Sequence, residues 1–284
     1  MIYHFNKYLK KRVLGYLIRI ATYLILMFII LYIDFPYIWM IKSSFTIERD
    51  ILTSTPKLLT ATYTLDNWFR AFRSIIPSLI NSIIISGVSL ILSVLIGSLA
   101  GFALSRFELK GKLGVITLVT FVQIIPRMTL LVPLYSIFSS LGLLDSYLGM
   151  ILVYTTIQLP FATLIMKSFF DELPKELDEA ALVDGASRIR TFFSITLPIS
   201  TPGIIATSIL LLMYAWNEFA LPVVLSGPKT KTITVAVAEN IGQRYVDLGP
   251  LFASGCIAIL PLLIFSFVIQ KYLVRGILAG AVKI

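Results

Sequence analysis

Between Arg73 and Arg106 the chain carries no charged residue, and the intervening sequence is mostly Ile, Leu, Ser, Val and Gly. A bilayer core about 30 Å thick is crossed by about 20 apolar residues in helix, so this run is long enough to span it. The pattern recurs. Residues 20–41 hold only Asp34, 113–144 only Arg127, and 146–166, 191–217 and 248–270 hold no charge. Charged residues make up 14% of the chain and hydrophobic ones 57%, against about 25% charged in soluble domains. A water-soluble core would leave most of that apolar surface uncovered, and a disordered chain would be far more polar. The expected fold is an all-α polytopic membrane protein with six transmembrane helices in one transmembrane domain, residues 1–284. The spans are roughly 17–40, 79–104, 113–134, 147–167, 199–224 and 251–273, with a polar loop at 168–198. The first span lacks a small-residue cleavage site and continues through Pro36 and Trp39, so it reads as a retained helix rather than a signal peptide.

Orientation follows from the basic residues. With the N-terminus inside, the cytoplasmic segments hold 15 Lys and Arg and the outer segments 8, so both termini are expected in the cytoplasm. The net charge of +9 then belongs to loops facing anionic lipid, and nucleic acid is not expected as a partner. Cys256 and His4 are the only residues of their kinds. That leaves no disulfide framework, metal site or Cys/His nucleophile to predict, and no catalytic residue.

Charges within the spans admit two readings each. Arg127 follows Pro126, about 22 Å beyond Lys112 along a straight helix. It either snorkels to the outer interface or faces a pathway beside a proline-broken helix. Glu218, next to Asn217, lies about 24 Å past Pro202 and is either a pathway or gate residue or an interfacial cap. Trp39, Trp68 and Trp216 read as interface-belt aromatics. An ion-coupled secondary transporter would want carboxylates or broken helices near the midplane in two repeats, which the sequence does not display. An intramembrane hydrolase would need a Ser–His pair or paired aspartates at membrane depth, and these are lacking too.

The most informative stretch runs from Asp171 to Pro198. Six of the chain's 15 acidic residues fall between Asp171 and Asp184, an odd density for a loop facing anionic lipid. Pro174 sits where a helix would start and Gly185 where it would stop. Leu177, Ala180, Ala181 and Asp184 share one helical face, with the alanines expected on an exposed ridge. A second start at Ser187 leads to a helix ended by Pro198. A helix, a turn and a helix with small exposed side chains and flanking acids suit a docking element for a cytoplasmic protein. A basic polar face would be expected if it lay on lipid.

Glu179-Ala180-Ala181, Asp184-Gly185-Ala186, Phe192, Ile195, Leu197-Pro198 and Pro202 together resemble the "EAA" loop of ABC importer permeases. Further segments resemble the carbohydrate branch, and within it the smaller permease of the maltose-type pair. These are Asn81-Ser82, the run from Ala100 to Phe107, Pro133-Leu134-Tyr135, Trp216-Asn217-Glu218-Phe219 and Gly280-Ala281-Val282-Lys283. The likeness runs from about Tyr16 to the last residue and departs at Ile284, where the family often has glycine.

The resemblance implies a type I ABC importer permease fold. It also implies partnership with a second permease subunit, two copies of a cytoplasmic ABC ATPase and an extracytoplasmic solute-binding protein. The expected substrate is a sugar, or alternatively a phosphorylated polyol such as glycerol 3-phosphate, for which Arg127 is the only basic candidate in the pathway. ATP and Mg would sit on the ATPase, and no cofactor on this chain, which has no phosphate-binding loop. The helix with Glu179, Ala180 and Ala181 would enter a cleft of the ATPase. The outer loop from Gly227 to Pro250 would reach the binding protein, the tail near Lys283 would touch the ATPase, and the membrane sugar site would lie mainly on the other permease.

Overall fold

The computed structural model describes residues 2–53, 62–241 and 246–281, with side chains described for 15–53, 62–241 and 246–267. The regular structure among them is helix, joined only by isolated antiparallel bridges at Thr46–Tyr63 and Ile241–Val246. In chain order these helices are α1 (Ile2–Ser44), α2 (Glu48–Ile51), α3 (Asp66–Arg106), α4 (Lys112–Ile124), α5 (Arg127–Ser140) and α6 (Tyr147–Glu172). There follow α7 (Glu176–Val183), α8 (Arg188–Thr191), α9 (Leu197–Ile199), α10 (Thr201–Trp216), α11 (Ala220–Leu225), α12 (Ile233–Glu239) and α13 (Leu248–Ala281). Among the described residues, α1, α3, α6 and α13 are each long and apolar enough to cross a membrane. Two bent pairs bring the number of candidate spans to six.

The first bent pair makes the third span the proline-broken helix of the second reading at Arg127, not a straight one. Pro126 forces Ile125 out of the helical region (φ −65°, ψ 122°), and α4 and α5 meet at 95°. The distance from Lys112 to Arg127 along one helix axis therefore does not apply. Arg127 opens α5 instead. The second pair bends by 78° between Ile199 and Thr201. Here the helix begun at Ser187 does not stop at Pro198. It widens into a π turn over Phe192–Thr196, in which the Leu197 amide donates to the Phe192 carbonyl, and breaks only at Ser200. Pro198 lacks the N–H that an α turn would direct at Ser194, and the wider turn absorbs that loss.

The core of the fold is the pair α3 and α6, which run parallel. Their register moves from Ser93 against Thr155, through Gly97 against Ala162, to Ser105 against Asp171. The contact face of α3 is a ladder of small buried residues that includes Ser86, Ser89, Ser93, Gly97, Gly101 and Ser105. A Cβ on Gly101 would lie 2.8 Å from the Lys167 amide nitrogen and 2.9 Å from the Thr163 carbonyl oxygen. Small residues at a spacing of four let backbones approach where lipid gives no hydrophobic reason to associate. Because α3 and α6 are parallel, α4 with α5 makes the one return between them.

Three clusters flank this pair. Ile85, Met150, Val153, Tyr154 and Leu221 pack between the middle of α3 and the first half of α6. Ala71, Ile75, Trp216, Ile233, Ala253 and Ile257 tie α3, α10, α12 and α13 together. Phe102, Met166, Phe170 and Phe192 close the other end. Trp216 is thus no belt residue. It is buried, and its indole N–H donates to the Ala258 carbonyl at 3.2 Å. By contrast, the most apolar stretch of α1 is wholly exposed, a surface suited to lipid.

Candidate functional site

The segment from Glu172 to Thr201 forms an elbow. α7 ends with its Gly185 in the left-handed conformation (φ +82°), which only glycine adopts without a Cβ penalty. The Ala186 amide donates to the Ala181 carbonyl and the Gly185 amide to Leu182, the paired bonds of a Schellman cap. Ser187 then caps α8, its hydroxyl accepting from the Arg190 amide at 3.3 Å. The stop and the restart fall where the sequence put them.

The faces of α7 do not. Glu179, Ala180 and Asp184 are exposed, Leu177 is 41% exposed and Val183 is 87% exposed. Ala181 is buried against the protein's own chain and is not part of an exposed ridge. It turns inward with Asp178, one turn earlier, which the sequence reading counted only as one more loop acid. Asp178 holds the elbow to the membrane domain. Its carboxylate accepts from Arg106 Nε at 2.5 Å and from Thr196 Oγ1 at 2.6 Å, and both charged side chains are buried. Arg106 also donates to the Leu173 carbonyl at 3.1 Å. One guanidinium at the end of α3 therefore grips the entry and the helix of the elbow, and Asp178 in turn ties down its exit at Thr196.

Packing repeats this grip. Phe192 is fully buried, with its ring centroid 5.1 Å from Phe102 and 6.2 Å edge-on to Phe170. Leu197 packs against the same cluster, Ala186 is half-buried, and Pro198 faces out. Nearby, Ser105 donates to Asp171 at 2.7 Å, and Lys167 pairs with the same carboxylate. Two of the six acids that made the loop look anomalous are thus structural, and the exposed Glu172, Glu176, Glu179 and Asp184 remain on its surface.

Far from the elbow, just before α6, Asp145 organises the loop at 227–230. Its carboxylate accepts from the amides of Gly227, Lys229 and Thr230 at 2.8–3.1 Å and from the Thr230 hydroxyl at 2.8 Å. Partial burial opposes its ionisation, yet these donors outweigh that effect and hold its pKa below the ordinary carboxylate value. Asn81 donates to the Lys229 and Lys231 carbonyls and accepts from Tyr147, while Ser82 accepts from the Ile233 amide. Asn81 and Ser82 within α3 and Tyr147 at the start of α6 thereby set the shape of residues 227–233. Asn81-Ser82 entered the sequence reading only through family likeness. The loop residues 242–245 and the tail at Lys283 lie outside the described residues.

Between these ends the structure joins Arg127 and Glu218, 91 positions apart in the chain. Arg127 Nη1 donates to Glu218 Oε2 at 2.6 Å, and the guanidinium lies 5.4 Å from the Tyr214 ring centroid. Glu218 also accepts from the Leu221 amide at 3.2 Å, capping α11, so the carboxylate is a cap and an ion-pair partner at once. Asn217 is exposed and donates to the Met213 carbonyl of its own helix, apart from this pair. Arg127 and Glu218 line a water-sized pocket with Tyr154 and Gln158, and Arg127 also borders a cavity of about 570 Å³ between α4, α5, α6 and α10.

Residues 93–279 match the family described as binding-protein-dependent transport system inner membrane component. The trehalose/maltose transport system permease protein MalG of Thermococcus litoralis is 36% identical over 257 residues, 88% of this chain and 91% of the relative. The trehalose transport system permease protein SugB of Mycobacterium tuberculosis is 32% identical over 253 residues, 87% and 92% of the two chains. Among solved structures, a bacterial ABC transporter involved in the import of the acidic polysaccharide alginate contains a chain of the same fold. Its TM-score is 0.77 at 20% identity, with 92% of this chain and 96% of that one covered. The chain belongs to the binding-protein-dependent transport system inner membrane component family. It is a multi-pass membrane permease subunit of an ABC importer, with the type I fold.

Proposed function

We propose that this permease imports a sugar or oligosaccharide, and that the elbow from Glu172 to Thr201 couples it to ATP hydrolysis on a partner ATPase. The single observation that carries the coupling is the rigid grip of Arg106 on an otherwise exposed helix: Asp178 and Ala181 face inward while Glu179, Ala180 and Asp184 face out. An elbow fastened to α3 through the buried ion pair of its helix α7, and to α6 through Phe192 of its π turn against Phe170, moves with those helices as one body. Force applied to α7 from outside the membrane is then delivered to the spans. ATP and Mg belong to the ATPase in this reading, and this chain is a non-catalytic transmission element.

The sugar class rests on the relatives' substrates. The runner-up, a phosphorylated polyol, wanted a free cation in the pathway. Arg127 was its one candidate, and the bond to Glu218 neutralises it. The remaining partners are a second permease subunit and a solute-binding protein, the latter docking on the loop that Asp145 holds. Both termini and the elbow face the cytoplasm, in keeping with the distribution of Lys and Arg.

The test is reconstitution of the complete importer in proteoliposomes, with ATP turnover measured against a panel of sugar-loaded and glycerol 3-phosphate-loaded binding protein. Stimulation by a sugar, together with labelling of a Val183→Cys thiol from the ATPase side only, is the expected result. Stimulation by glycerol 3-phosphate alone, or labelling from the binding-protein side, contradicts the proposal.

A further inference from the structure

We infer that Arg127 and Glu218 are positioning residues for transport: their ion pair is a strut that makes α5 and α11 move with α6 and α10. Work delivered at the elbow then reaches the elements that lie beyond the breaks after α4 and α10. The inference rests on the coupling reading and goes beyond it, giving the two residues no contact with substrate or ATPase. α3 and α6 are continuous helices, and the elbow grips both. The chain reaches α5 only through the 95° break at Ile125 and Pro126, and α11 only through the non-helical Asn217, Glu218 and Phe219. Breaks of this kind are where hinges form, so motion is not passed across them by the backbone.

Side-chain contact must carry it instead. Phe138 of α5 and Leu221 and Leu225 of α11 pack in one apolar cluster with Ile85 of α3 and Val153 of α6. Such burial is non-directional, so by itself it resists separation without fixing register. Glu218 is bonded in defined directions. Its Oε2 accepts from Arg127 Nη1 at 2.6 Å, its Oε1 from the Leu221 amide at 3.2 Å, and its carbonyl oxygen from Thr234 Oγ1 at 2.8 Å. These bonds fasten the first residue of α5, the start of α11 and α12 to the end of α10. From Arg127 the contact continues inward: the guanidinium lies 5.4 Å from the Tyr214 ring centroid on α10, and that ring meets Phe161 of α6 edge-on at 5.6 Å.

A second route to α6 runs through the small pocket that the pair lines with Tyr154 and Gln158. Its volume of about 10 Å³ is room for one water. The Tyr154 hydroxyl and Gln158 Oε1 are buried there without a hydrogen-bond partner among the described residues, so a water in the pocket would bridge α6 to the pair. Charged side chains within a membrane span are costly and mark function, and the partner of each is the first clue to what it does. Two apolar residues would hold α5 against α10 without that cost. What the ion pair adds is a charge-assisted hydrogen bond of fixed length and direction.

The experiment uses the complete importer in proteoliposomes, with radiolabelled trehalose, maltose and glycerol 3-phosphate as probes. The readouts are substrate imported per ATP hydrolysed and pull-down of the ATPase. Glu218→Gln keeps the size of the side chain and an acceptor for the Leu221 amide but removes the charge. It and Arg127→Met should each lower import per ATP about tenfold, within the scale of a coupling free energy between sites, while ATPase capture stays at the wild-type level. The double variant should fall no further than either single one, because all three lose the same bond. Arg127→Lys, which keeps the cation, should retain much of the ratio. Unchanged ratios in the assembled single variants, or losses that add in the double variant, overturn the strut and leave the elbow reading standing. Failure of Glu218→Gln to assemble makes the pair a folding element and overturns the strut as well. A wild type that fails to capture the ATPase, or to import any of the three probes, contradicts the coupling reading, and the strut falls with it.

Discussion

Asp178 and Arg106 lie 72 positions apart in the chain and 2.5 Å apart in the fold, and both are more than nine-tenths buried. Removing one partner of such a pair leaves the other as an uncompensated buried charge, at a cost of about 3–5 kcal/mol. Asp178→Ala should therefore lower the melting temperature of the detergent-solubilised complex clearly. Asp178→Leu combined with Arg106→Met, apolar on both sides, should restore much of the stability, and simple additivity of the two single losses would contradict the assignment. Asp145 yields to different chemistry. Its pKa is lowered in the folded protein, so its contribution is full above the ordinary carboxylate value and is lost as pH falls through the lowered one. The loop at 227–231 should thus keep its protease protection from pH 7 down to about 5. Asp145→Asn, which turns an amide donor toward the Lys229 N–H, should release the backbone there and let trypsin cut after Lys229 already at pH 7. Residues of this kind were hard to read in advance. A buried aspartate and a solvated one look alike in a run of six acids, and only the position of Arg106 in space tells them apart.

At the scale of elements, the elbow's boundaries were legible because they are local. Gly185 needs a left-handed residue and Ser187 caps the next turn, whatever the rest of the chain does. The α3–α6 contact was also written in the sequence, as small residues from Ser89 through Ser93, Gly97 and Gly101 to Ser105. A reading organised around hydropathy counts these only as uncharged. Their purpose shows when Gly101 meets the backbone at Lys167 and Thr163. This predicts a matched pair of variants. Gly101→Ala should destabilise the complex by about 1–3 kcal/mol, because the obstructing atoms are backbone and cannot step aside. Gly87→Ala, on the same helix with no neighbour within 4 Å of its Cβ, should be neutral or slightly stabilising. Equal effects in thermal unfolding would mean that the close approach is not what holds the pair. The two sharp bends were less legible. Pro126 marks the first, but the second falls at Ser200, two residues beyond the proline that seemed to announce it, because a π turn takes up the strain.

For the whole molecule, the sequence could identify spans but not which charges meet. Arg127 and Glu218 each had two open readings, and their pairing at 2.6 Å joins a cap, a cation and the cavity wall in one cluster. The architecture then has three levels along α3 and α6: a loop organised by Asp145 at one end, a cavity between, and an elbow gripped by Arg106 at the other. The central claim is that the elbow transmits the work of an ATPase to these helices. The most direct measurement is sugar-stimulated ATP turnover and sugar uptake in liposomes, with pull-down of the ATPase, for Gly185→Val and Ala180→Asp. Gly185→Val strains a φ of +82°, and Ala180→Asp adds bulk and charge to the exposed face. Neither position lies in an uncharged span, so the complex should still insert into the membrane. The account predicts weakened ATPase capture, with stimulation and uptake lost together. Wild-type capture, stimulation and uptake in both variants would contradict it.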